Sequence, residues 1–570
     1  MRKIHLTTIW KAFIVLAGAV VLNSASVGGA ESAAAVSGSE KPAWQGGFNR
    51  YDYVMDGATL EITPLKAETA DSTANQELLR GVIVAPKKPL PGNPWSWKDY
   101  NPMHFAESET ELLERGYYVV YTTPGSTEQQ AKWRAFLIGK YELSKKPVHV
   151  GMSHGTLLAG TAKISITPEN TKLPVHDPVQ ARVLVLEVGG ERLAFISMDL
   201  GVYYSDRLIT ACREKFGISQ VVMSSSHTHS DPGHSYSAFY DEQVVQAMGS
   251  AVSNMFPAKI SAGFRSFPQL GFNRLVPRED GHTRESWHGD DHYRSENPDR
   301  IPFGPVDPEV GVIKIEDADG QPRAIIMNYA CHADVVCQNY AISADYPGVA
   351  CRKVEEAFDN KVNCLFVQGA GGNIESLIIS SRRNGPDDPF QTDYSTIDRV
   401  GFLLAYETVK LAKSLKPNPS GETKIRYMND ALKFTGRFEP DREFDVRIST
   451  ILINDDIVIA TVPGEPFIQF QLDWKKKMEG VHAFLFGYTW YEGTWPDYIA
   501  DIQSAATGGY GADQGPPLIE VGAGESIMAK HLENTYRLTG LMREEPGPTA
   551  WTPGDRWIIT PVPRSSQNGK

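Results

Sequence analysis

Two histidines separated by one residue are the first chemical signal in the sequence. His227 and His229 follow the apolar run Val221–Met223 and a short serine tract. In an extended segment alternate residues face the same side, so both imidazoles can point into one site. Neutral imidazole is the commonest metal ligand in proteins and a good general acid or base. The pair therefore indicates a metal or proton-transfer site, with two structural loop histidines as the plainer alternative.

Three further side chains could complete such a site, and each also has a plainer interpretation. His332 follows a strand-like run and could be a hydrogen-bonded core histidine. Glu465 lies between a strand-like and a helix-like run, where a carboxylate could complement the helix dipole. Tyr498 could simply line a pocket. Together, two imidazoles, a carboxylate and one more oxygen donor suit zinc, which in catalytic sites lowers the pKa of a bound water to roughly 7.

The elements that must position these residues are strands that end in polar clusters. Five apolar runs lead into such clusters: Val221–Met223, Ala324–Met327, Leu365–Val367, Ile457–Val462 and Phe484–Phe486. In open α/β sheets the carboxyl ends of the strands share one rim, where ligand sites gather. The pattern predicts an α/β fold in which clusters far apart in sequence meet on one rim.

The composition is that of a globular protein. Of the 570 residues, 41% are hydrophobic and 22% are charged, which excludes wholesale disorder. The formal net charge is −13 and no long basic run is present, so we expect no nucleic-acid partner. Nothing in the sequence indicates a stable protein partner.

The first 30 residues predict export. Arg2 and Lys3 precede a mostly apolar stretch from Ile9 to Leu22, and small residues follow. This order is typical of a cleaved secretory signal, with an uncleaved anchor helix as the alternative. We therefore expect a secreted or periplasmic protein. The five cysteines include no C-x-x-C pair, which leaves both one or two disulfides and buried free thiols open.

Eight short motifs follow one another in the second part of the chain. They are Gly160–Pro168, Ser225–Ser230, Asn273–Arg274, Asn328–His332, Ser343–Gly348, Gln368–Asn373, Pro463–Glu465 and Trp495–Tyr498. In this order they resemble the catalytic domain of the neutral/alkaline non-lysosomal ceramidases. That family hydrolyses the amide of N-acylsphingosine with one zinc ion. The resemblance implies an amidohydrolase of linear amides that meets a lipid-like N-acyl substrate, with a membrane surface as one place to meet it.

The resemblance also implies roles for individual residues. The zinc ligands would be His227, His332, Glu465 and Tyr498. His229 would contact the substrate or move protons, and Arg274 would position or polarise the reacting group, unless it is a surface arginine in a loose ion pair. Tyr510 would match an active-site tyrosine of the family, with an ordinary loop aromatic as the alternative.

Two positions depart from the family pattern. Glu375 stands where the family has a serine thought to be essential, and Ser376 comes one place later. Ser376 could substitute through a loop shift, Glu375 could act as a base, or a zinc-bound water could attack unaided. Asp231 stands where the family has glycine. These differences bear on the identity of the substrate more than on the metal site.

The region before residue 157 has a different character. Strand-like runs at Leu78–Val84 and Tyr117–Tyr121, with helix-like segments between and after them, suggest parallel α/β units. The string Gly151–Gly155 matches the G-x-S-x-G nucleophile elbow of α/β-hydrolases, with Ser153 as its serine. The residues that should supply the acid and the histidine of such a triad are missing, so the region resembles a truncated hydrolase half.

The expected fold class is α/β with α+β elements. The expected division of the chain is a signal peptide (1–30), a flexible leader (31–44), a partial α/β-hydrolase-like region (45–156), a ceramidase-type catalytic domain with mixed β-sheets flanked by helices (157–543) and an extended tail (544–570). Two alternative functions remain open at this stage. One is a serine esterase that uses Ser153, and the other is a non-catalytic relative that binds lipid or glycan.

Overall fold

Strands and helices alternate along the chain in the computed structural model. It describes residues 47–65, 79–98, 110, 112–123, 127–144, 149–266, 270–285, 304–336, 341–377, 394–417, 423–516 and 518–542. The predicted signal peptide, leader and tail lie outside these residues. The helices are α1 (Thr127–Tyr141), α2 (Asp206–Phe216), α3 (Ser237–Ser253), α4 (Asp345–Ala357), α5 (Ser395–Ser414), α6 (Ile468–Lys477), α7 (Ile502–Thr507) and α8 (Ala523–Leu538).

The strands form three larger sheets and three two-stranded ladders. The strands are β1 (Asn49–Met55), β2 (Ile62–Pro64), β3 (Leu79–Ala85), β4 (Trp95–Lys98), β5 (Tyr118–Thr122), β6 (His149–Gly155), β7 (Leu158–Ser165), β8 (Gln180–Val188), β9 (Glu191–Met198), β10 (Gln220–Ser225), β11 (Phe256–Ser266), β12 (Gly271–Asn273), β13 (Leu275–Pro277), β14 (Thr283–Glu285), β15 (Glu309–Asp317), β16 (Pro322–Tyr329), β17 (Asn363–Gln368), β18 (Ile374–Ser376), β19 (Thr423–Thr435), β20 (Glu443–Ile453), β21 (Ile457–Thr461), β22 (Glu465–Pro466), β23 (His482–Phe486), β24 (Thr489–Trp490) and β25 (Tyr498–Ile499).

Two sheets pack face to face in the main body of the protein. One has nine strands in the order β17-β16-β15-β11-β7-β8-β9-β10-β24, and the other has five in the order β23-β21-β20-β19-β6. Their facing side chains form one buried cluster that joins β8, β16 and β17 to β20, β21 and β23. Helices α2 to α5 cover the outer face of the larger sheet, and α6 and α8 cover the smaller one. The predicted α/β class with mixed sheets flanked by helices is confirmed.

The continuous apolar runs of the sequence are explained by burial on both faces of a strand. Within β21, Ile457 and Ile459 face the opposite sheet, whereas Val458 and Ala460 face the helix layer. Successive side chains of a strand point to opposite faces, so an unbroken apolar run indicates that both faces are covered. This is why the run stands out in the sequence and why it ends where the polar cluster begins.

The N-terminal sheet corrects one expectation. Its order is β2-β1-β3-β5-β4, and β3 pairs with β5 in antiparallel register. The two runs that suggested parallel units are therefore antiparallel neighbours, and in this sheet only β4 and β5 form a parallel pair among the described residues. Helix α1 packs Trp133 and Leu137 onto one face of the sheet. Side chains of β3 and β5 belong to the main core, so the other face is docked on the main body.

The expected nucleophile elbow is absent. Ser153 lies inside β6, paired with Ile425 of β19 in an antiparallel ladder that extends from His149 to Gly155. A nucleophile elbow needs a sharp strand-to-helix turn that exposes the serine, and β6 is extended throughout. The structural context that the serine-esterase alternative requires is therefore missing.

Two smaller expectations concern thiols and membranes. Cys212, Cys331, Cys351 and Cys364 are buried free thiols, and Cys337 lies outside the described residues. The alternative of buried core thiols is thus confirmed for these four. Among the helices that the structure describes, we find none whose length and apolar character would let it cross a bilayer.

Candidate metal centre

The predicted site residues converge on the ends of strands from two different sheets. His227 and His332 follow β10 and β16 of the nine-stranded sheet, whereas Glu465 follows β21 of the five-stranded sheet. The expectation of a single rim was therefore wrong, because two packed sheets present their strand ends side by side. A parallel bridge between Thr228 and Ala333 holds the two histidine loops together.

Each of the two buried histidines is oriented by a backbone carbonyl. Nδ1 of His227 lies 2.9 Å from the carbonyl oxygen of Gly201. Nδ1 of His332 lies 2.8 Å from the oxygen of Gly371 and 3.1 Å from that of Ile374. A carbonyl can only accept a hydrogen bond, so Nδ1 carries the proton in each ring and Nε2 presents its lone pair. Burial lowers the pKa of His227, which favours this neutral form.

Glu465 lies between the two imidazoles. Its Oε2 is 3.4 Å from Nε2 of His227 and 3.4 Å from Nε2 of His332. Burial would raise the pKa of Glu465, but the positive charges of His227 and His332 in their protonated forms, and of Arg274, lower it to about 2. The carboxylate makes no cap on α6, whose N-cap residue is Phe467. The alternative of a helix-capping glutamate is therefore wrong.

Tyr498 is a direct neighbour of the carboxylate in the fold. It pairs with Glu465 in the short parallel ladder of β22 and β25 and is 5% exposed. Its hydroxyl accepts a 2.9 Å hydrogen bond from Arg274, whose guanidinium is stacked 5.4 Å from the Tyr498 ring and 5.3 Å from the Tyr510 ring. Arg274 is buried, so it is not a surface arginine, and Tyr510 packs on the same group.

His229 completes a group of three imidazoles. The ligand nitrogens of His227, His229 and His332 lie within 4.8 Å of one another. Nε2 of His229 is 3.2 Å from Nε2 of His227, and His229 is the most exposed of the three. Its place beside the buried pair, with access to solvent, suits contact with a substrate or exchange of protons.

Glu375 is fully buried beside Arg274. Its Oε2 accepts a 3.2 Å hydrogen bond from the guanidinium, and its carboxyl group shares a hydrogen bond with Asp334. Burial and then Asp334 raise the pKa of Glu375 to about 7. Ser376 is the next residue of β18, and successive strand residues point to opposite faces. With Glu375 directed at Arg274, Ser376 faces the other way, which disfavours the loop-shift alternative.

Two residues of this site were not predicted from the sequence. The hydroxyl of Tyr488 donates a 3.3 Å hydrogen bond to Oε2 of Glu465, and its ring lies 4.6 Å from that of His227. Asp334 is the partner of Glu375 and follows His332 by two residues. Tyr488 comes two residues after the end of the run Phe484–Phe486, and this position was the available signal. The backbone of His227 and of Tyr488 is left-handed, with φ of 67° and 52°, a strain that clusters at functional sites.

The donor set fits a transition-metal ion. The buried Nε2 of His332 lies 3.4 Å from Oε2 of Glu465 and makes no well-formed hydrogen bond with the residues that the structure describes. Such a nitrogen is costly to bury unless a partner outside the polypeptide binds it. The Nδ1–carbonyl bonds of His227 and His332 are the outer-shell contacts that metal-binding histidines usually make. Imidazole and carboxylate donors together suit zinc among the common divalent ions.

Sequence comparison and structural comparison give different results. No protein-family model and no curated protein sequence matches the chain. The chain has a ceramidase-like fold. The crystal structure of neutral ceramidase from Pseudomonas aeruginosa superposes with a TM-score of 0.52 at 15% sequence identity, over 70% of this chain and 76% of that one. A ceramidase structure in complex with C2 gives a TM-score of 0.52 at 15% identity, with 70% and 77% covered.

Proposed function

We propose that this chain is a zinc-dependent amidohydrolase. It would cleave the amide bond of an N-acylsphingosine or a related N-acyl lipid, releasing a free amine and a fatty acid. Two findings support the proposal: the ceramidase-like fold and the position of the candidate metal centre at the strand ends of that fold. The substrate class rests on the names of the structural neighbours.

The observation that carries the proposal is the convergence of two buried imidazoles on one carboxylate. Nε2 of His227 and Nε2 of His332 each lie 3.4 Å from the same oxygen of Glu465. A buried carboxylate that stays charged between two lone-pair nitrogens is an arrangement for a cation. His227, His332, Glu465 and Tyr498 would hold the zinc ion. When bound, zinc would act as a Lewis acid on the substrate carbonyl and lower the pKa of water.

The surrounding residues would orient the groups and move the protons. Arg274 donates to the Tyr498 hydroxyl and to Glu375, and would hold both in place from its buried position. Glu375 would take the proton of the attacking water as general base. His229 would deliver a proton to the amine nitrogen as the carbon–nitrogen bond breaks. A base works best when its pKa lies near the working pH, and the pKa of Glu375 is about 7.

The first experiment is metal analysis combined with a substrate screen. The protein without its predicted leader is purified, its zinc content is measured, and hydrolysis is followed on an N-acylsphingosine, an N-acyl amino acid and a matched ester. We expect one zinc per chain, amide hydrolysis that is lost on chelation and restored by zinc, and loss of both metal and activity in Glu465→Ala. Ser153→Ala should have no effect, because Ser153 lies within an extended strand.

Four outcomes would contradict the proposal. A chain that binds no zinc, or one whose hydrolysis resists chelation, would remove its chemical basis. A fluorophosphonate adduct on Ser153 would favour the serine esterase. Zinc binding without turnover of any amide or ester would favour the non-catalytic relative. Export is part of the proposal because of the predicted signal peptide, and the N-terminal sequence of the native protein tests it.

A further inference from the structure

Asp231 stands at a position where the family pattern has glycine, and its carboxylate contacts the backbone that supports His227. Oδ2 accepts a 2.7 Å hydrogen bond from the N–H of Gly201, and Oδ1 accepts one of 2.8 Å from the N–H of Gly233. The carbonyl oxygen of Gly201 in turn accepts the hydrogen bond of Nδ1 of His227, at 2.9 Å. A continuous chain of contacts thus runs from the carboxylate to the imidazole.

The backbone position of Gly201 depends on contacts such as the one with Asp231. A side chain at this residue would meet the carbonyl oxygen of Thr228 at 3.1 Å and Oδ2 of Asp231 at 3.2 Å, so only glycine approaches this closely without adjustment. Glycine is also the residue with the greatest backbone freedom. The neighbouring Leu200 accepts the backbone N–H of His227 at 2.9 Å. Residues 200 and 201 therefore hold both the main chain and the ring of His227.

We propose that Asp231 is a positioning residue for His227. By fixing Gly201 it fixes the carbonyl that orients the ring, and so it directs Nε2 toward Glu465. The proposal rests on the proposed zinc site, since the consequence of a misdirected Nε2 is weaker metal binding. Loss of an outer-shell contact of a metal-binding histidine typically weakens metal affinity by about 10- to 100-fold.

The test compares zinc affinity in three variants by competition with a chromophoric chelator. Asp231→Gly installs the residue of the family pattern, and we expect its zinc dissociation constant to rise by about 10- to 100-fold. Asp231→Asn keeps one acceptor oxygen and should lie between this variant and the parent protein. Asp317→Gly is the matched control, because Asp317 also accepts two backbone N–H bonds, from Asp319 and Gln321, in a turn after β15. Its zinc affinity should equal that of the parent.

The outcomes separate this inference from the proposed function. If the parent binds zinc and Asp231→Gly binds it within about twofold of the parent, Asp231 does not position the ligand and the metal site stands. If Asp317→Gly loses as much affinity as Asp231→Gly, the effect is general destabilisation and the inference is wrong. If the parent binds no zinc, both the proposed function and this inference fail.

Discussion

The base in the proposed reaction can be identified by exchanging one oxygen of Glu375 for nitrogen. Glu375→Gln keeps the size of the side chain and an oxygen that can accept from Arg274, but it cannot take a proton. A positioned general base contributes typically 10²- to 10⁴-fold, so we expect kcat to fall by that factor, which corresponds to about 3–5 kcal/mol. The neighbouring Ser376→Ala removes a hydroxyl that faces away from Arg274, and should retain most of the activity.

The structure also sets the stability cost of this substitution. Glu375 is 0% exposed and pairs with Arg274, which is 1% exposed, so truncation of the carboxylate leaves a buried cation without its counter-ion. Removing one partner of a buried ion pair costs about 3–5 kcal/mol. Glu375→Ala should approach this cost, whereas Glu375→Gln should lose less because its amide oxygen still faces the guanidinium. The hydroxyl of Tyr498 and the carbonyl of Gly372 continue to accept from Arg274 in both variants.

The assay is release of the amine from a fluorescent short-chain N-acylsphingosine, with zinc content and thermal unfolding measured on the same samples. Glu375→Gln should retain zinc, because the proposed ligands are untouched, and should lose kcat with little change in KM. A Glu375→Gln enzyme with more than about one tenth of the parental kcat would refute the general-base role. A Ser376→Ala enzyme reduced about 100-fold would instead identify the serine as the essential group.

Three further predictions concern packing, hydrogen bonding and pH. Gly511 and Gly92 have the same backbone φ of 79°. A Cβ atom added at Gly511 would lie 2.7 Å from the Tyr498 ring, whereas a Cβ atom added at Gly92 would have no atom within 4 Å. Gly511→Ala should therefore lose zinc affinity and activity, and Gly92→Ala should lose only stability. Tyr488→Phe removes the hydroxyl that donates to the proposed ligand Glu465, and we expect about 10-fold weaker zinc binding in chelator competition. Burial lowers the pKa of His531 from 6.5 to about 3. Between these two pH values the unfolded chain binds a proton that the folded protein does not bind. The free energy of unfolding therefore decreases by about 1.4 kcal/mol for each unit by which the pH is lowered. Between pH 7 and pH 5, His531 should account for about 2 kcal/mol of the stability lost in denaturant unfolding, and His531→Gln should reduce the loss by that amount.

The fold class could be predicted because burial on both faces of a strand leaves a direct mark on the sequence. Ile457–Ala460 is apolar without interruption since one set of side chains meets the opposite sheet and the other meets the helices. Which sheet a strand joins cannot be predicted from such a local pattern. The sequence of β6 suggested a hydrolase sheet, but its partner is β19, some 270 residues further along the chain. Pairing between segments so distant depends on the whole packed core, which local patterns do not contain.

That the candidate metal-site residues lie close together could be predicted from their types and from the order of the motifs, whereas their electrostatic state could not. His227 and His332 are recognisable as histidines after strands, but the carbonyls that fix their tautomers come from residues 201, 371 and 374. The contact between Tyr488 and Glu465 forms with the backbone of Tyr488 in the left-handed region. No sequence pattern predicts this conformation for a tyrosine. These features arise only when the two sheets pack.

At both positions where the sequence departs from the ceramidase pattern, a carboxylate lies near the candidate metal centre, and both carboxylates have partners. Glu375 is bonded to Arg274 and Asp334, and Asp231 is bonded to Gly201 and Gly233. Glu375 is fully buried, where an unpartnered carboxylate would cost several kcal/mol, so its bonds to Arg274 and Asp334 are what make the charge compatible with the fold. The two carboxylates have different consequences in the proposed site. Glu375 bears on proton transfer, because its pKa is about 7 and it lies beside Arg274. Asp231 bears on the orientation of the proposed ligand His227, because both of its oxygens are bonded to backbone N–H groups.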